Sequence, residues 1–132
     1  MIQILLAGRN LSSRTLFKTA LDQCDTHTTC LTSGDEVLSA ISENRFDLLV
    51  TDETLDDMRG LALIESVVAI QPTLNCAVVS SLSPGDFHDA SEGLGILMQL
   101  PANPGTEEAH QLLEYLIKIQ NVSKNVIPRG NR

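Results

Sequence analysis

No stretch of about 18 apolar residues occurs in this 132-residue chain, so a membrane-spanning helix is not expected. The amino terminus, MIQILLAGRN, has neither the basic start nor the small-residue cleavage site of a secretory signal, and a cytoplasmic location is the expectation. Cations are scarce. Nine Lys and Arg against 17 Asp and Glu leave a net charge of −8, a surface that repels phosphate backbones, so nucleic acid is not expected as a direct partner. Cys24, Cys30 and Cys76 are odd in number and show no C-x-x-C spacing, and His27, His88 and His110 are scattered. That excludes a disulfide framework and a matched zinc site. There is also no P-loop, no G-x-G-x-x-G after a strand and no G-x-S-x-G elbow, so an enzyme is not expected and no residue is assigned a catalytic role.

What is present is a sequence of ordinary globular composition, 42% apolar and 20% charged, at a length suited to one domain. Ile2–Ala7 is a short apolar run closing on Gly8 and reads as a buried strand. Leu11, Leu16, Phe17, Ala20 and Leu21 then recur at helical spacing, with Asn10 or Ser12 placed to cap the first free amides. Thr28–Thr32 is β-branched, and Ser33 with Glu36 three positions on is a capping box that opens a helix running to about Asn44. Phe46–Thr51 is the clearest buried strand, and Leu61–Ile70 is an amphipathic helix stopped by Gln71-Pro72. Cys76–Val79 is a fourth strand, with Ser83-Pro84 and Asp86 starting a fourth helix that ends near Gly93. Ile96–Leu100 is a fifth strand. Thr106 to about Asn121 is a last helix with Leu112, Leu113, Leu116, Ile117 and Val122 on its apolar side.

Five alternations of strand and helix call for an α/β fold, a parallel sheet with helices on both faces and right-handed crossovers. Chemistry in such sheets gathers beyond the carboxyl ends of the strands. Those ends carry Gly8 and Arg9, Asp52, Ser80 and Ser81, and Leu100 and Pro101.

The stretch from Phe46 to Ile64, with Asp52 at the strand end and Gly60 eight residues beyond it, resembles the third strand and following loop of response-regulator receiver domains. Ile4–Ala7 matches the family's first strand, Val78-Val79-Ser80-Ser81 its fourth, and Gly93–Pro101 its fifth with the proline. The resemblance covers roughly residues 2 to 120. It implies a doubly wound five-stranded sheet in the flavodoxin-like order 2-1-3-4-5, a receiver-like domain over residues 1–121 and a flexible tail over 122–132. It also implies that Asp52 occupies the phosphoacceptor position, that Leu97 stands at the switch position, and that a cis bond precedes Pro101.

Departures from the family pattern shape the functional expectation. The two acidic residues that hold magnesium in the family are replaced by Gly8 and Arg9, and the lysine before the proline by Leu100. A lone carboxylate makes a poor magnesium site, so no cofactor and no metal are expected. The residues favour an ion pair between Asp52 and Arg9, with Glu53, Asp56 and Asp57 as a solvated acidic rim. The expected function is a receiver-like module of two-component phosphorelay signalling that acts through protein partners, with impaired magnesium-dependent phosphorylation. The partners would be a sensor kinase, an effector or a second copy, met through helix four, strand five and helix five. The alternatives are a phosphoacceptor modified on Asp52 by a histidine kinase with Arg9 assisting, and a small-ligand binder that uses the pocket at Gly8, Arg9, Ser80, Ser81, Leu100 and Pro101.

Overall fold

The computed structural model describes residues 1–9 and 14–129, with side chains described as far as residue 121. Elements alternate throughout: β1 (Ile2–Ala7), α1 (Thr15–Asp22), β2 (Thr26–Leu31), α2 (Gly34–Glu43), β3 (Leu48–Thr51), α3 (Gly60–Ile70), β4 (Asn75–Val79), α4 (Pro84–Ser91), β5 (Met98–Leu100) and α5 (Thr106–Arg129). The strands form one sheet in the order β2-β1-β3-β4-β5, and every neighbouring pair is parallel. The five units and their order agree with the expected architecture.

Alternation along each strand divides the core into two layers. Ile4, Leu6, Leu48, Val50, Ala77, Val79 and Leu100 pack with Phe17 and Leu21 of α1 and with Leu112 and Leu116 of α5. On the other face Leu5, Leu49, Cys76 and Val78 meet Val37 and Ile41 of α2, Leu63, Ile64 and Val67 of α3, and Phe87 of α4. All four residues of β3 are buried, which explains why this strand reads as an unbroken apolar run. Each wholly buried leucine or isoleucine contributes about 1.5–3 kcal/mol through area removed from water.

The two helix starts anticipated from Ser33 and Ser83 are present. Ser33 Oγ accepts the Glu36 amide at 3.2 Å, and Glu36 Oε1 accepts the Ser33 hydroxyl at 3.2 Å and the Thr32 amide at 3.4 Å. Ser83 Oγ accepts the Asp86 amide at 3.2 Å, with Pro84 in the first turn. The anticipated caps Asn10 and Ser12, and Leu11 of the apolar stripe, lie outside the described residues.

Three expectations are corrected. Leu16 and Ile117 are exposed, because the buried stripes of α1 and α5 are narrower than the apolar pattern and leave these two on the flanks. No described peptide bond is cis, so Leu100–Pro101 is trans, the isomer an X–Pro bond favours by about 0.5–1 kcal/mol. The backbone of α5 also continues past Asn121 to Arg129, since residues 122–127 contain neither glycine nor proline to stop it. The side chain of Val122 lies outside the described ones.

Candidate functional site

The carboxyl ends of β1, β3 and β4 frame a crevice with Asp52 on its floor. The Asp52 amide donates to the Ala7 carbonyl at 2.9 Å, so the residue is tied to the end of β1 as well as to its own strand. Beneath it the chain makes a tight return. Gly60 N–H donates to the Glu53 carbonyl at 2.8 Å, and a Cβ on Gly60 would collide with the Asp52 carbonyl oxygen. Only glycine allows that approach, which gives the spacing between Asp52 and Gly60 a physical cause.

The partner of Asp52 is Arg14. Its Nε donates to Asp52 Oδ1 at 3.0 Å, and the two side chains are only 9% and 13% exposed. This corrects the expected Arg9–Asp52 pair: Arg9 lies outward, 62% exposed, with its Nε 3.9 Å from Asp56 Oδ1. Arg14 precedes Phe17 by three residues and Leu21 by seven, so it lies one turn above the buried stripe of α1 and shares its face. Arg9 follows directly from β1 and has no helix to turn it inward. The sequence signal for Arg14 was therefore available, as a cation in line with core positions at a helix start.

Burial pushes the Asp52 carboxyl above its usual range; the charge and hydrogen bond of Arg14 oppose that shift, and Glu53 adds to it. Desolvation wins, as is common for ion pairs taken out of water.

The other carboxylates of the loop, Glu53, Asp56 and Asp57, are exposed, as the expected acidic rim requires, and two of them also hold backbone amides. Asp57 accepts the Gly34 amide at 2.7 Å and the Asp35 amide at 3.0 Å, closing the open end of α2; these backbone bonds hold its carboxyl below the usual value. Glu53 accepts the Ser81 amide at 2.8 Å and the Ser81 hydroxyl at 3.4 Å.

A pocket of about 250 Å³ lies between Arg9, Arg14, Asp52, Glu53, Thr54 and Ala102. Of the residues singled out from sequence, Arg9, Asp52 and Glu53 line it. Ser80 is buried beside it, with its amide bonded to the Leu100 carbonyl at 2.9 Å and its Oγ accepting the Leu82 amide at 3.1 Å. Ser81 joins through Glu53. Gly8 is buried and donates its amide to the Leu31 carbonyl at 3.0 Å. Leu100 is wholly buried in the α1 and α5 layer, and Pro101 is exposed. Leu97, half-buried against that same layer, is not among the residues lining the crevice. Two larger hollows, of about 810 and 1270 Å³, lie along α2 and around residues 41–47 and 70–75, away from Asp52.

A strand-end aspartate over a glycine return, on a sheet ordered 2-1-3-4-5, is the arrangement that the sequence resemblance implied, and a model of the response regulator receiver domain matches residues 4–100. The chain belongs to that family. Receiver domains of known structure share its fold at low identity. The signal receiver domain of an HD domain-containing protein from Pseudomonas fluorescens Pf-5 is 14% identical, with a TM-score of 0.80 over 94% of this chain and 92% of that one. Chemotaxis response regulator CheY4 of Vibrio cholerae is 17% identical, with a TM-score of 0.77 over 88% and 98%. NtrX from Brucella abortus is 18% identical, with a TM-score of 0.83 over 97% of this chain and 29% of that longer one. No curated protein matches by sequence. No helix among the described residues of this receiver domain is long and apolar enough to cross a membrane.

Proposed function

We propose that this receiver domain signals in the cytoplasm through protein–protein contact, with an Arg14–Asp52 ion pair standing where relatives place a divalent cation, and with Asp52, at the phosphoacceptor position, a poor acceptor. The observation that carries this reading is the buried 3.0 Å contact between the two side chains.

Magnesium prefers six oxygen ligands in near-octahedral geometry and leaves its water reluctantly. The residues here do not fit it. Asp52 gives one oxygen to a guanidinium, Gly8 has no side chain, and Arg9 brings a second cation to the pocket. Glu53, Asp56 and Asp57 face Ser81, Arg9 and the start of α2. Among the described residues no group of three or more His, Cys, Asp or Glu side chains is arranged to hold a metal. Leu100 brings no charge to the crevice, so a phosphoryl group arriving at Asp52 would meet little of the electrostatic help such transfers need. At about 250 Å³ the pocket also falls below the roughly 300–1,000 Å³ of small-molecule sites, which weakens the ligand-binding alternative.

A second reading draws on Arg14 itself. A guanidinium already beside the acceptor carboxylate is positive charge in the right place for a metal-free phosphoryl transfer. Intact mass after incubation with a small-molecule phosphoryl donor, with and without magnesium, separates the two. The proposed function expects no gain of a phosphoryl group in either condition. A magnesium-dependent gain that Asp52→Asn abolishes refutes it, and a gain independent of magnesium that Asp52→Asn abolishes establishes the second reading. The partners consistent with this function are a sensor kinase, an effector or a second copy of the chain. They would meet the face of α4, β5 and α5, where Leu82 and Tyr115 are exposed.

A further inference from the structure

The least anchored helix of the fold is α4. Its only buried side chain is Phe87, whereas α3 on the same face buries Gly60, Leu63, Ile64 and Val67. Beyond its carboxyl end lie Gly93 and Gly95, with φ of 84° and 65°, values in the left-handed region that glycine reaches without strain. Packing alone therefore gives α4 little to fix its direction.

The connection that leads into α4 is the opposite case. Ser80, Ser81 and Leu82 are held by side chains from both neighbours in the sheet. From the end of β3, Glu53 accepts the Ser81 amide at 2.8 Å and the Ser81 hydroxyl at 3.4 Å. From β5, the Gln99 Nε2 donates to the Leu82 carbonyl at 2.8 Å and to the Ser80 carbonyl at 3.3 Å. Ser80 Oγ accepts the Leu82 amide at 3.1 Å, completing the set. Three consecutive residues of this connection, Ser80 buried and Ser81 and Leu82 exposed, thus have backbone groups held by two side chains, one just beyond β3 and one within β5.

We infer that Glu53 and Gln99 form a two-sided latch on residues 80–82 that sets the orientation of α4. In this arrangement α4 is the adjustable element and the two side chains are positioning residues. Glu53 works from the residue next to Asp52, so the latch lies between the crevice and α4. Its closure depends on neither a metal nor a modified aspartate, which makes this inference separate from the proposed function above.

Amide hydrogen exchange of the unmodified protein, with no phosphoryl donor present, tests it. Glu53→Ala and Gln99→Leu should each speed exchange at Leu82 and across residues 85–91 by about tenfold, the scale of losing one or two hydrogen bonds, while amides of β1 and β3 keep their rates. Glu53→Gln, which retains an acceptor oxygen for the Ser81 amide, should stay closer to the parent than Glu53→Ala. Unchanged exchange in α4 for both Glu53→Ala and Gln99→Leu overturns the inference. So does acceleration in α4 matched by that in β3, because that pattern reports loss of global stability instead of release of one helix.

Discussion

Asp52 and Asp57 belong to the same loop and carry the same side chain, yet the floor of the crevice and its rim treat them in opposite ways. Asp52 is sunk beside Arg14, and loss of water pushes its carboxyl up against the pull of the guanidinium. Asp57 sits in solvent at the start of α2, where two backbone amides hold its carboxyl down. Proximity to a full positive charge does not guarantee a stabilised carboxylate, whereas two well-placed amide dipoles in water suffice. For the receiver domain this means that the floor carries the electrostatic tension and the rim carries the loop geometry.

The largest effect should come from dismantling the floor. Arg14→Met leaves Asp52 buried without its guanidinium, and urea unfolding at pH 7 should show a loss of about 3 kcal/mol, the scale for one partner removed from a buried pair. With Arg14 gone the Asp52 carboxyl is lifted further, so the deficit should shrink as pH falls and the carboxylate takes up a proton. Asp52→Asn keeps an acceptor for Arg14 and should cost nearer to 1 kcal/mol. Equal losses in the two variants would mean that the buried charge left on Asp52 adds nothing to the cost of removing its partner, and the floor would then carry no electrostatic tension.

Next in size is Gly60→Ala. The added methyl meets the Asp52 carbonyl oxygen, which is backbone and cannot swing aside, so the loop must move at a cost of about 2 kcal/mol. Chemical shifts of Asp52 and Asp57 should change together, because both hang from the segment that Gly60 pins.

The smallest and most direct measurement follows the two carboxyl carbons by NMR. The Asp57 carbon should titrate below the usual aspartate value of about 3.9 and the Asp52 carbon above it. Because the lowered Asp57 group stabilises the fold above its ordinary range and loses that contribution as pH falls through the lowered value, Asp57→Asn should melt slightly below the parent at pH 7. The two melting temperatures should then converge in acid. A gap that widens in acid would mean that the α2 amides are not what holds Asp57.

Much of this architecture is legible in the residues. Buried parallel strands read as continuous apolar runs, and Ser33 with Glu36 and Ser83 with Pro84 announce their helices through local bonding alone. Asp52 and its distance to Gly60 stand out through the family resemblance, and the structure supplies the cause of that spacing in a close backbone approach. The order of strands was not in the periodicity, since long-range pairing leaves no local trace, and it came instead from the family resemblance. The arginine was misassigned for a related reason. Adjacency along the chain favoured Arg9, while helix phase, counted back from Phe17 and Leu21, favoured Arg14. Exposure of Leu16 and Ile117 could not be foreseen from composition, because how wide a stripe a helix buries is decided by its neighbours.

Leu100 belongs to two neighbourhoods at once. Its carbonyl accepts the Ser80 amide at the edge of the crevice, while its side chain is enclosed among Leu112, Leu116 and their companions. A polar side chain at this position would therefore leave hydrocarbon contacts with α5 unfilled unless its stem replaced them. An ammonium group installed here would have to run its stem along that hydrocarbon and bring its head out at the crevice. The residue acts as a mechanical joint between the mouth of the sheet and its far wall.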